Sequence, residues 1–174
     1  MPATRATDPD DLMPFRHIVD QTPDAVIFAD TGGVIRVWNR GAETLFGFSG
    51  AEAIGSSLDM IIGERFRRAH WEGYHRAMAS GGTRHGAEVR TTRAIHKDGR
   101  KLYVELSFGV VVNEAGATLG SVAVGRDGTV RHLVDDALRS RLADLEGKAG
   151  SGGLSPISSA ESSRRSDSAK AGKE

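Results

Sequence analysis

The stretch that most restricts this chain is residues 97–110, KDGRKLYVELSFGV. Asp98-Gly99 is a hairpin signal, because glycine supplies the positive φ that a tight turn between strands needs. After the turn the side chains alternate without a break. Leu102, Val104, Leu106, Phe108 and Val110 point one way; Tyr103, Glu105, Ser107 and Gly109 point the other. A strand patterned like this has one apolar face to bury, and its turn commits it to an antiparallel neighbour. The stretch therefore asks for an antiparallel sheet covered on one face.

The rest of the chain supplies the partners. Residues 84–95 read as the strand before the turn, and 117–126 as the strand after a second turn at 113–116. Residues 24–30 and 34–38 form an earlier hairpin around Thr31-Gly32-Gly33. Between the two strand groups lie helices. Asn39 is a good cap for a helix over 40–46, and Gly47 ends it. Ser49 and Glu52 make a capping box for a short helix that Gly55 closes, and 58–62 forms a further turn. Residues 61–80 form one long amphipathic helix stopped by Gly81-Gly82. A short amphipathic helix is expected at 12–20, carrying Leu12, Phe15, Ile18 and Val19. Another is expected at 129–146, where Leu138, Leu142 and Leu145 recur at coiled-coil steps; it either pairs with a second helix or packs back onto its own sheet. The expected fold is α+β: a five-stranded antiparallel sheet with short helices and one long helix on one face, flanked by N- and C-terminal amphipathic helices. The domain plan is a disordered 1–11, a domain at 12–129, a helix at 130–146, and a disordered Ser/Gly/Lys-rich tail at 147–174. A ligand pocket is expected between the helices and the sheet.

Composition removes several function classes. The 174 residues carry 23 of each charge and a net charge of zero, so nothing global favours nucleic acid. There are no cysteines, which excludes disulfides, Cys-zinc and iron–sulfur sites, thiolate haem ligation and cysteinyl-flavin photochemistry. No apolar run is long enough to span a membrane, and residues 1–11 lack a hydrophobic signal region, so a cytoplasmic location is expected. No nucleophile–base constellation and no phosphate loop is present, and no enzyme is expected.

The long helix holds the candidate site. His70 lies in its middle, with Phe66, Arg67, Gly73, Tyr74 and Ala77 at helical spacing on its face. A potential metal ligand is thus flanked by two very small residues, Gly73 and Ala77. A mid-helix glycine costs about 1 kcal/mol relative to alanine, so Gly73 suggests close approach by something bulky. A flat cofactor ligated by His70 fits. A core histidine in a crowded helix–sheet contact, with Gly73 admitting a neighbouring side chain, fits as well.

The order of elements, with TPDAVIFAD at 22–30, VWNRGAETLFGF at 37–48, Ile54-Gly55, KDG at 97–99 and RDGT at 126–129, resembles the PAS sensor domain. Gly128 replaces the usual aliphatic residue of the last motif. Within that family the chain looks most like the haem-binding oxygen sensors of the rhizobial FixL type. The resemblance implies haem b, with His70, eleven residues before Gly81, as proximal ligand. It implies Arg76, six residues on, as a propionate contact. It also implies Arg90 as the distal arginine that binds gas, twenty residues beyond His70 and seven before Lys97. Leu106 and Phe108 fall where the family has apolar residues over the distal face, and Ala123 at a small-residue position. Gly73 stands where larger residues are frequent, and Gly63 replaces a common proline.

Under this reading neutral His70 leaves one iron position open for gas. Arg90, always protonated, would donate a charge-assisted hydrogen bond to oxygen; a surface arginine, or one paired with Glu88 or Glu105, is the plain alternative. Arg76 and Arg84 are the propionate candidates, with His85 as a further one. The four methionines, Met1, Met13, Met60 and Met78, avoid the last three strands, which leaves no distal Met ligand. His75 is about 140 degrees round the helix from His70, so the two cannot form a zinc pair. His17, His96 and His132 have no ligand spacing and are expected to be exposed. The expected partners are oxygen, a second copy of the chain and a separate downstream signalling protein, with no nucleic acid and no membrane. The homodimer is expected through 12–20, the outer sheet face and 129–146. A PAS interaction module without haem, or one binding a non-covalent flavin or small metabolite, remains open.

Overall fold

A computed structural model describes residues 13–83 and 88–151. The elements in order are α1 (Met13–Gln21), β1 (Ala25–Asp30), β2 (Ile35–Trp38), α2 (Arg40–Phe46), α3 (Gly50–Ala53), a 3₁₀ turn (Leu58–Met60), α4 (Glu64–Ser80), β3 (Arg90–Ile95), β4 (Lys101–Val112), β5 (Thr118–Asp127) and α5 (Thr129–Ser151). The strands form one sheet in the order β2-β1-β5-β4-β3, and every neighbouring pair is antiparallel. The chain divides into two compact units, Met1–Asp136 and Ala137–Glu174. In the second, Leu138, Leu142 and Leu145 are each more than half exposed.

The inner face of the sheet follows from the alternation. Leu102 and Val104 of β4 and Ala25, Ile27 and Ala29 of β1 are buried on it. They pack with Ile35, Trp38, Phe46, Leu58, Ile61 and Tyr74 into one core. The short helices stay close because their contact residues are small. A Cβ on Gly41 would lie 2.3 Å from the Asp24 carbonyl oxygen, so only glycine lets α2 reach the backbone leading into β1.

Asn39 does more than cap α2. Its buried Oδ1 accepts from the N–H of Ala42 and of Val26, while its Nδ2 donates to the carbonyls of Val19 and Asp24 at 2.9 Å. One side chain thus ties α1, β1 and α2 together. The β3–β4 turn is fixed to the helices in the same way. The Lys97 N–H donates to the Phe46 carbonyl, and the Lys97 ammonium bonds the Glu52 carboxylate. That ammonium, with the Ser49 N–H, holds the Glu52 carboxyl down at about 2.

Three boundaries and one strand face differ from what the sequence pattern suggests. The long helix starts at Glu64 rather than at 61, because the Ile61 carbonyl is occupied by the N–H of Ile95 and holds that segment against β3. β3 starts at Arg90, with Glu88 and Val89 outside it and 84–87 outside the described residues. Strict alternation along 117–126 would put Leu119 on the inner face with Ser121 and Ala123, but it is 46% exposed. Gly120 explains it: its φ of 155° breaks the alternation, and a Cβ there would lie 2.1 Å from the Ala29 carbonyl oxygen. Finally, α5 runs to Ser151 rather than ending at 146, and residues 152–174 of the expected tail lie outside the described residues, as do 1–12.

Gly128 gives α5 a tight attachment to β4. Its N–H donates to the Tyr103 carbonyl, and the Thr129 hydroxyl oxygen accepts from the Tyr103 N–H. His132 stacks on Tyr103 at 3.8 Å, and Arg131 pairs with Glu105 at 3.5 Å. A Cβ at position 128 would lie 2.7 Å from Glu105 Cγ, so the glycine is what lets Glu105 occupy this joint.

Candidate functional site

A cavity of about 790 Å³ lies between α4, β3 and the inner face of the sheet. Its size is that of a cofactor pocket. Ile27, Ala29, Leu106, Phe108, Ser121 and Ala123 form its sheet wall. Phe66, Ala69, His70, Gly73 and Tyr74 form the α4 wall, and Phe46, Leu58 and Ile61 close the inner end. On the β3 side stand Glu88, Arg90, Thr92 and Arg93, all of them exposed, so the cavity is dry at its core and wet at this rim.

His70 is the buried group on these walls whose chemistry is left open. Among the described residues, its Nε2 is the single buried side-chain nitrogen or oxygen without a hydrogen-bond partner. Such an orphan costs on the order of 1–3 kcal/mol unless something else occupies it. Burial pushes the imidazole below its ordinary value, against a smaller upward pull from the Asp59 carboxylate. The ring is therefore neutral near pH 7 and carries a lone pair that no protein donor uses. Its edge packs on Trp71, with ring centres 5.2 Å apart.

Two neighbours fix the helix that carries it. The Trp71 indole N–H donates to Asp59 Oδ1 at 2.9 Å, and its ring fills the space over Gly33, where a Cβ would come within 2.1 Å of it. The Tyr74 hydroxyl, one turn after His70, donates to the backbone carbonyls of Asp30 and Ala29 at 2.6 and 3.1 Å and accepts from Ser121 Oγ at 3.2 Å. Burial pushes the Tyr74 phenol up, so it stays a donor. α4 is thus keyed to β1 and β5 through Tyr74 and to the 3₁₀ turn through Trp71.

Gly73 settles one of the two readings of the helix face. A Cβ built there meets nothing within 4 Å. No side chain is being admitted; the missing methyl opens onto the cavity. An empty cradle beside an unpartnered, neutral imidazole suits a flat ligand bound by nitrogen. A porphyrin needs only one such protein ligand, whereas a bare ion needs several, and no three His, Asp or Glu side chains cluster for one among the described residues.

Of the residues singled out from the sequence, His70, Gly73, Arg90, Leu106, Phe108 and Ala123 line this single cavity. Arg76 and Ala77 do not line it; Arg76 is exposed. Six residues of helix turn Arg76 roughly 120 degrees away from His70, and seven carry Ala77 about 10 Å along the axis. Arg84 and His85 lie outside the described residues. Glu88 and Arg90 both line the cavity but form no ion pair with each other, and Glu105 is taken by Arg131. His75 is exposed and stacks on Trp71, and His17 is exposed as expected. His96 and His132 are not free surface groups. The His96 side chain is 15% exposed, packed over Gly47 and bonded to Asp98, and His132 stacks on Tyr103.

Cavity residues that the sequence reading passed over include Ser121, Thr92, Arg93 and the β1 pair Ile27 and Ala29, while Glu88 was read only as a partner for Arg90. Tyr74 was seen on the His70 face but not as the clamp. The alternation of β5 puts Ser121 beside Ala123 and could have flagged it. Nothing in the spacing singles out Arg93.

Residues 14–128 match the family model described as the PAS fold. The chain belongs to the PAS family. A stretch of 55 residues is 40% identical to the sensor protein FixL of Bradyrhizobium diazoefficiens; it covers 32% of this chain and 11% of that curated relative. Among solved structures, a PAS domain from Colwellia psychrerythraea is 27% identical with a TM-score of 0.59, over 68% of this chain and 97% of that one. An RNA-binding light-oxygen-voltage receptor is 24% identical with a TM-score of 0.63, over 86% of this chain and 42% of that one, a likeness of fold. This PAS chain is a sensor module. Among the described residues no helix is long and apolar enough to cross a membrane.

Proposed function

We propose that this chain is a haem b-binding oxygen sensor, with His70 as the protein's ligand to iron through Nε2. The observation that carries the reading is the buried, unpartnered Nε2 of a neutral imidazole on the wall of an apolar cavity of about 790 Å³. The partial identity to FixL supports it. When bound, haem supplies an iron with one position free for a diatomic gas.

The chain's own residues divide the remaining work. Trp71 and Tyr74 hold the α4 backbone in the turn that follows His70, so the imidazole is oriented before any ligand arrives. Gly73 leaves room for a flat ring beside it. Leu106, Phe108 and Ala123 keep the sheet wall apolar and exclude water. Arg90 stands beside that wall on the β3 rim, with no ion pair among the described residues, and is a permanently charged donor free to polarise a gas. Arg76 and Arg84 remain candidate propionate contacts on the resemblance alone. The sensor is read as a homodimer that signals to a separate protein. Exposed Phe15 and Ile18 on α1, Val124 on the outer sheet face, and Val130 and Leu133 at the start of α5 are its candidate contacts.

Arg90→Ala tests the gas chemistry. A hydrogen bond from a charged donor contributes roughly 1.5–3 kcal/mol, so oxygen release should accelerate on the order of ten- to a hundredfold. Carbon monoxide release should change far less, because that ligand gathers little charge. Equal effects on both gases would assign Arg90 a steric role, and no effect on oxygen would remove it from the site.

A further inference from the structure

The exposed β3 rim of the cavity carries a guanidinium that has no carboxylate partner among the described residues. It is that of Arg93, which lines the cavity beside Phe66. Its contacts are with ring faces: its guanidinium carbon lies 6.0 Å from the centre of Phe66 and 5.6 Å from that of Tyr103. Phe66 belongs to α4 and Tyr103 to β4, so the two rings hold the Arg93 head at the solvent rim where α4 meets the edge strand. Ring faces satisfy its charge but none of its five N–H donors, which keep the fork geometry that fits a carboxylate.

Register makes the placement more telling. Arg93 pairs with Tyr103, whereas Thr92 pairs with Val104 and Arg90 with Leu106. Arg93 therefore starts on the outer face of the sheet. It reaches the cavity only because β3 is the edge strand and its side chain can wrap around the rim. Arg65 sits closer to the same ring, 4.5 Å from the Phe66 centre, and does not line the cavity.

We propose that Arg93 anchors the acidic substituent of the cavity ligand at this rim. This rests on the haem reading, under which the substituent is a propionate. The site then has two poles: a neutral nitrogen donor inside, at His70, and a cation at the water boundary, at Arg93. An amphiphilic ring with acids along one edge is oriented by that pair. Arg93 is a specificity-determining residue: it selects ligands carrying an anion and sets which edge faces out.

The test compares haem with haem dimethyl ester, whose propionates are uncharged. Both are titrated into the full chain, and dissociation rates are read from the visible spectrum after transfer to a porphyrin-scavenging protein. Wild type should hold haem roughly tenfold longer than the ester, a margin typical of one partly exposed charge-assisted contact. Arg93→Gln should shorten haem retention to the ester's value and leave the ester unchanged. Arg93→Lys should recover part of the difference, and Arg65→Gln should preserve it in full. An Arg93→Gln protein that still discriminates haem from ester as wild type does overturns the assignment. So does loss of discrimination in Arg76→Gln with retention in Arg93→Gln. Loss of ester binding as well as haem binding in both Arg93 variants assigns the residue a packing role and overturns it too. A wild-type chain that takes up neither porphyrin refutes the haem reading itself, a result distinct from all of these.

Discussion

Gly73 costs its helix about 1 kcal/mol relative to alanine, and no protein atom uses the space it leaves. A residue kept at that cost in mid-helix serves something other than the fold of the empty chain. Gly73→Ala should therefore raise the stability of the ligand-free protein by roughly 0.5–1 kcal/mol, since the added methyl clashes with nothing. The same methyl narrows the cavity beside His70, so haem uptake should weaken. Thermal melts of the ligand-free variant, paired with haem titration, check both signs; a variant destabilised when empty would mean the cradle is not open. His70 carries a pH dependence of its own. Burial depresses its folded value below the ordinary 6.5, the Asp59 carboxylate opposing this only in part. Above that value the ring is neutral in both states and contributes nothing to the slope. As pH falls through it, the unfolded chain takes the proton first, and stability is lost until the lower folded value is reached. The melting temperature of the ligand-free protein should thus fall as pH drops below about 6.5, and His70→Leu should flatten that part of the curve. An identical slope in the variant would place the acid sensitivity elsewhere.

The elements were legible wherever a local signal decided them. The alternation of β4, the Asn39 cap, the Ser49–Glu52 box and the Gly81 stop, with its φ of 65°, each act within one turn or one strand. What the sequence hid was decided at a distance. The first turn expected of α4 is lost because Ile61 is claimed by Ile95, thirty-four positions away in the chain. Leu119 leaves the inner face because Gly120 crosses over the Ala29 carbonyl of another strand. The candidate site divides in the same way. His70, Gly73 and the β4 and β5 positions follow from helical and strand periodicity. The Tyr74–Ser121 clamp and the rim position of Arg93 depend on which strand lies at the edge, and no periodicity states that. The position of Arg76 off the cavity wall, six residues from His70, is set by the helical turn.

For the molecule as a whole, the balance of exposed apolar surface matters. Phe15 and Ile18 on α1 are 64% and 65% exposed, and Val130 at the start of α5 is 77% exposed. Apolar exposure in both flanking helices is what a second copy would cover. Sedimentation of the full chain should give a dimer, and Phe15→Arg with Ile18→Arg should shift it towards monomer while leaving haem uptake intact. A double variant as dimeric as wild type would exclude α1 from the interface. The central claim concerns the cavity, and it reduces to one nitrogen. Ligand-free protein titrated with haem should develop a Soret band that saturates at one haem per chain. His70→Gly should lose that spectrum while keeping its fold by circular dichroism, and added imidazole should restore it by occupying the space of the missing ring. A His70→Gly protein whose spectrum matches wild type without imidazole would contradict the account, as would a wild-type chain that takes up no haem.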